Sequence, residues 1–168
     1  EGLDLIMNTI EAACDDPSAL AEKNAMQGAA FYGGVAITAS GTTGVHALSY
    51  PLGGKYHIAH GVSNAMLLVP VMEFNEPVCR SRFAAAWDRV YHGERQLETE
   101  EEKSKALVAW MGDIVRHLEI PTSLREFDVP AEDLDGLVAA GMQVTRLLVN
   151  NMREITADDA RAIYQRVM

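Results

Sequence analysis

The sequence predicts an all-α protein, and three observations carry that prediction. Apolar residues recur at i, i+3, i+4 and i+7 along nearly the whole chain. No stretch alternates with the two-residue period of a half-buried strand. Helix-start signals stand just ahead of several of the apolar patterns. The expected architecture is a multi-helix bundle domain over residues 1–168, with a buried central pair of segments wrapped by amphipathic helices.

The elements follow in order. Leu3, Ile6, Met7, Ile10 and Cys14 mark one face of a first helix. Asp16-Pro17 reads as a restart, with Asp at the N-cap and Pro at the first helical position. The next helix runs to about Ser40. Its interior from Gly28 to Ala36 is almost free of charge, which predicts a helix buried on all sides. Gly41 to Gly44 breaks the pattern, Val45 to Tyr50 allows one or two helical turns, and Pro51, Gly53 and Gly54 predict a turn. From Gly61 to Phe74 a further apolar helix is expected, kinked or broken at Pro70. Beyond Asn75-Glu76-Pro77 the helices become amphipathic, first with Phe83, Ala86, Trp87 and Val90 on one face. Thr99 and Glu102 form a capping box for a helix burying Leu107, Trp110, Met111, Ile114 and Leu118. Pro130 opens another through Leu134, Leu137, Val138 and Gly141. Thr156 with Asp159 caps the last, which buries Ala160, Ile163, Tyr164 and Val167.

The net charge of −10 with scattered Lys and Arg argues against nucleic acid and anionic membrane as partners. No apolar run is long enough to span a bilayer. Cys14 and Cys79 have no metal or redox spacing and read as buried free thiols, which fits a reducing, cytoplasmic setting. The chain opens on Glu1, already in helical pattern, so it is expected to begin inside a longer protein.

Of five histidines, His46, His57 and His60 cluster around the Pro/Gly turn between two apolar segments. Neutral imidazole is a common ligand for Fe(2+) and Zn(2+), and a loop between two helices can bring two ligands to one ion. Spacing alone leaves inert, hydrogen-bonded histidines as the alternative. Asp88/His92 and Asp113/His117 are both D-x-x-x-H, which puts each pair on one helix face. In the charged half of the chain, the expected role is a solvated acid–imidazole pair.

The run from Gly44-Val45-His46-Ala47-Leu48-Ser49-Tyr50-Pro51-Leu52-Gly53-Gly54 through Lys55-Tyr56-His57-Ile58-Ala59-His60-Gly61-Val62-Ser63-Asn64-Ala65 to Leu67-Leu68-Val69-Pro70-Val71-Met72-Glu73-Phe74-Asn75 resembles the iron-containing alcohol dehydrogenases. A weaker match is Asn150-Asn151-Met152-Arg153-Glu154-Ile155-Thr156, with Met152 where the family usually has Pro. The resemblance extends, in the order of helices, to the family's helical C-terminal domain, the second half of a two-domain α/β + α enzyme.

That resemblance implies a metal held by one Asp and three His, the last two falling on His46 and His60. His57 sits where the family varies. The family's Asp and first His, a D-x-x-x-H helix, and its N-terminal dinucleotide-binding domain precede the region matched here. Asp88/His92 and Asp113/His117 have the wrong chain order to replace them. The implied cofactors are Fe(2+), with Zn(2+) as the alternative, and NAD or NADP bound mainly by the missing N-terminal domain. The implied substrate is a small alcohol or aldehyde, and the implied assembly a homodimer. Some members carry His where this chain has Tyr50, and a phenol is a weak proton relay near neutrality. Phe31, Val35, Leu48 and Leu52 are expected to wall the site against water, and Thr42 and Thr43 to line the substrate pocket. Two rival readings remain: a zinc-dependent relative of the glycerol dehydrogenase or dehydroquinate synthase type, and a free-standing, non-catalytic helical module.

Overall fold

The computed structural model describes residues Glu1–Met168, and they form eight α-helices without a strand. In order these are α1 (Gly2–Asp15), α2 (Leu20–Ser40), α3 (Gly44–Tyr56), α4 (His60–Val90), α5 (Glu100–His117), α6 (Leu134–Met142), α7 (Thr145–Leu148) and α8 (Ala157–Gln165). Single 3-10 turns at Leu124–Phe127 and Ala131–Asp133 lead into α6. The chain divides into two compact units, one of residues 1–40 with 79–118 and one of residues 41–78 with 119–168. Of the three crossings between them, the one at Val78–Cys79 falls within α4.

In the first unit, Met7 of α1, Trp87 and Val90 of α4, and Leu107 and Ile114 of α5 form the buried core. Trp87 and Tyr91 stack with ring centroids 4.2 Å apart, and Trp110 meets both rings edge-on. The capping box starts α5: Thr99 Oγ1 accepts from the Glu102 amide, and Glu102 accepts from the Thr99 amide. Asp16 ends α1 rather than starting α2. Its Oδ1 accepts from the Ser18 amide and hydroxyl, an Asx-type turn that delays α2 to Leu20.

Two burial expectations fail in this unit. Ala29 is the one buried residue of α2, whereas Phe31 is 69% exposed and Val35 55%. Packing on α1 covers one side of α2, and its remaining apolar surface faces outward. Uniform apolarity in a sequence states that a helix can be buried, not what buries it. Cys14 is exposed, while Cys79 is buried as expected.

In the second unit Leu48, Leu52, Leu67, Leu124, Leu137 and Tyr164 are fully buried. α6 and α8 pack together, and α6 packs on α3. The α8 capping box of Thr156 and Asp159 is present, and Ala160, Ile163, Tyr164 and Val167 are buried.

The prolines break nothing. Pro51 lies inside α3, and Pro70 and Pro77 lie inside α4, which runs unbroken over 31 residues. Each proline removes one ladder bond at most. Burial of an aliphatic side chain contributes about 1.5–3 kcal/mol, and Leu48 with Leu52 bracket Pro51, as Met66 and Leu67 with Val71 bracket Pro70. Tertiary packing therefore outweighs the local signal.

Candidate metal centre

His46 projects from the first turn of α3, and His60 opens α4. Gly44 permits the tight entry to α3. A Cβ there would lie 2.6 Å from Ile155 Cδ1 and 3.1 Å from Asn151 Oδ1. α3 ends at His57, whose φ of 55° is left-handed and whose amide donates to the Gly53 carbonyl at 3.1 Å. His57 thus closes the helix and turns the chain toward α4.

This turn brings the His46 and His60 rings to a centroid separation of 5.2 Å. Two imidazoles sharing one ion, each through a nitrogen about 2.0–2.1 Å from it at a near-tetrahedral angle, have centres about 5 Å apart. The pair therefore fits as two ligands of one divalent ion. The donor chemistry agrees. Burial, and secondly the neighbouring His60, hold the His46 pKa below its ordinary value, which favours the neutral, ligating imidazole. No third His, Cys, Asp or Glu of the chain joins them to make a larger metal-binding cluster.

Residues of the same segment brace the pair. Asn64 Nδ2 lies 3.0 Å from His60 Nε2 and donates to the His60 carbonyl at 2.9 Å. Its Oδ1 accepts from the buried Ser49 hydroxyl at 2.8 Å, and that oxygen also lies 3.1 Å from the His46 carbonyl. The sequence contained both residues but no signal that they meet. Tyr50 completes the cluster, its ring centroid 6.5 Å from that of His46 and 6.1 Å from that of His60. Arg146 of α7 lies over the Tyr50 ring, with Cζ 5.9 Å from the centroid.

The other candidates take different places. Leu48 and Leu52 are fully buried in the core and wall no open site, while Phe31 and Val35 are exposed in the other unit. Thr42 and Thr43 are half-buried in the loop before α3, where the Thr42 carbonyl accepts from Asn150 Nδ2 at 3.1 Å. Neither D-x-x-x-H spacing forms an acid–imidazole pair within its helix. Asp88 pairs with Lys103 and Asp113 with Arg116, whereas His92 and His117 reach Asp4 and Asp15 of α1 at 2.8 and 2.7 Å. Cross-helix partners win there because α1 presents carboxylates directly to both rings.

The family model described as "Fe-containing alcohol dehydrogenase family, C-terminal" matches residues 1–168. The chain belongs to the iron-containing alcohol dehydrogenase family. It is 34% identical over 161 residues to the long-chain-alcohol dehydrogenase 1 of Geobacillus thermodenitrificans, covering 96% of this chain and 40% of that protein. It is 32% identical over 166 residues to alcohol dehydrogenase 4 of Saccharomyces cerevisiae, covering 99% and 42%. Among solved structures, a 1,3-propanediol oxidoreductase shares the fold with a TM-score of 0.92 at 23% identity, over 99% of this chain and 43% of that one. The chain thus spans about two fifths of the length of the relatives it matches.

Proposed function

We propose that this chain is the helical, metal-holding part of an alcohol dehydrogenase that moves a hydride between a small alcohol or aldehyde and NAD or NADP. The observation that carries this reading is the His46–His60 pair, two imidazoles 5.2 Å apart at the junction of α3 and α4. In the whole protein His46 and His60 would hold a divalent ion, Fe(2+) in the first instance and Zn(2+) as the alternative, with further ligands from outside this chain. Such an ion supplies Lewis-acid polarisation of the substrate oxygen, and a nicotinamide ring supplies or takes up the hydride.

The remaining work falls to this chain's own residues. Asn64, held by Ser49, donates to His60 Nε2 and steadies the ring, and an ion bound through that nitrogen would take the place of this bond. Burial, with the neighbouring His60, favours the neutral form of the His46 imidazole. The Tyr50 ring forms the flank of the pair against which a substrate would lie. Relatives named as alcohol dehydrogenases support the reaction class.

The test is nicotinamide reduction by the full-length protein, loaded separately with Fe(2+) and Zn(2+), with primary alcohols as substrates. His46→Ala and His60→Ala are expected to lower both bound metal and turnover, with folding checked by circular dichroism. The 168 residues alone are expected to bind metal weakly and to be inactive. Full metal content in both variants would end the ligand assignment, and lack of turnover in the loaded full-length protein would favour the non-catalytic module.

A further inference from the structure

The second unit carries six basic side chains, and five of them end on oxygen acceptors. Lys55 meets Asp133 at 2.5 Å, Arg161 meets Asp135 at 2.5 Å, and Arg166 pairs with Glu73. Arg125 donates to the Met168 carbonyl at 2.7 Å and Arg153 to the Phe74 carbonyl at 2.9 Å. Arg146 is the exception. Its guanidinium makes a contact with the Tyr50 ring and no ion pair.

Its place is also particular. The Tyr50 ring on which it lies is the same ring that flanks both His46 and His60. Guanidinium, phenol and the two imidazoles therefore form one continuous surface, with the cation separated from the histidine pair by an aromatic ring. Arg presents a planar fork of N–H donors that matches a carboxylate, sulfonate or phosphate bidentately, and the ring beneath limits its freedom.

We propose that Arg146 binds an anionic group at the non-reacting end of the substrate, so that the preferred alcohol or aldehyde carries a carboxylate or similar oxyanion a few carbons from the reacting oxygen. The proposal rests on the dehydrogenase reading above and names the substrate class of that same site. A phosphate of the nicotinamide cofactor has the same chemistry, and the experiment separates the two sources.

The experiment compares full-length wild type with Arg146→Ala and Arg146→Lys on matched aldehydes: butanal against 4-oxobutanoate, and hexanal against 6-oxohexanoate. Wild type is expected to prefer the charged member of at least one pair. Arg146→Ala is expected to lower the ratio of kcat/KM for charged over neutral aldehyde about 10- to 100-fold, chiefly through KM, the range of a lost charge-assisted hydrogen bond. Arg146→Lys is expected to restore part of that ratio, and calorimetric binding of butanoate should weaken in the Ala variant alongside it. An unchanged ratio, or a wild type without charge preference, overturns the proposal. A raised KM for NAD or NADP with an unchanged aldehyde ratio also overturns it, by assigning Arg146 to the cofactor phosphate. Absence of turnover with all four aldehydes overturns the dehydrogenase reading itself, and this inference with it.

Discussion

The Tyr164 hydroxyl donates to the main-chain carbonyl of Leu48 over 2.6 Å, in the fully buried interior of the second unit. The bond ties α8 to α3 two residues beyond His46, so the last helix helps hold the first turns on which the histidine stands. Burial pushes the Tyr164 phenol well above its ordinary pKa, so the hydroxyl is a protonated donor near neutral pH. Tyr164→Phe leaves the Leu48 carbonyl buried with its side-chain donor gone. The expected cost is about 1–3 kcal/mol of stability, measured by denaturant unfolding. A variant within experimental error of wild type would show that the bond contributes nothing net.

Gly141 of α6 sits against the same two residues. A Cβ there would lie 2.9 Å from Leu48 Cδ2 and 3.2 Å from the Tyr164 hydroxyl oxygen. Gly→Ala in a helix normally gains about 1 kcal/mol, while overpacking a filled core costs about 1–3 kcal/mol. Leu48 has no exposed surface into which to move, so the clash should win. Gly141→Ala is expected to lower the melting temperature, whereas Gly54→Ala, in the same unit with nothing within 4 Å of its Cβ, should not.

The local features were the readable ones. The capping boxes at Thr99 and Thr156 involve residues three apart, and both occur as read. A third, at Ser123 and Glu126, was missed because it caps a 3-10 turn with no apolar pattern to draw attention to it. The turn expected at Pro51 and the break allowed at Pro70 were over-read, since a missing N–H is visible in sequence and the buried side chains that outweigh it are visible only as packing. His46 and His60 could be singled out by motif, but their ring separation depends on the left-handed closure at His57. Ser49, Asn64 and Arg146 carry no local signal. Each acquires its meaning from a partner on another element, Arg146 from the Tyr50 ring of α3.

Asn75 and Asn151 were likewise only members of motifs, and the structure pairs them reciprocally. Asn75 Nδ2 donates to Asn151 Oδ1 at 3.1 Å, and Asn151 Nδ2 donates back at 2.8 Å. Asn151 Oδ1 also lies 3.4 Å from the Gly44 amide at the head of α3. Asn75 is 4% exposed, so no water can replace a lost partner easily. Asn151→Ala is expected to destabilise the protein by about 1–3 kcal/mol. Because the same side chain reaches the start of α3, amide hydrogen exchange should quicken at Gly44–Ala47. Slowed or unchanged exchange there would separate the amide pair from the histidine-bearing turn.

The first unit offers a pH test. His117 Nε2 lies 2.7 Å from Asp15 Oδ2, joining the end of α5 to the end of α1. The hydrogen bond to Asp15, helped by the charges of Asp15 and Glu11, raises the His117 pKa above its ordinary value. A histidine whose pKa is raised on folding stabilises the folded state when protonated. That contribution is fully present below the unfolded-state pKa of about 6.5. It is lost as pH rises through the higher folded-state value. Asp15→Asn should therefore lower the melting temperature at about pH 5.5, and the gap to wild type should close toward alkaline pH. His117→Gln should show the same trend, and the double variant should add nothing to either single one if the pair acts as a unit. A gap that stays constant with pH would mean that Asp15 stabilises α1 by some route other than its bond to protonated His117.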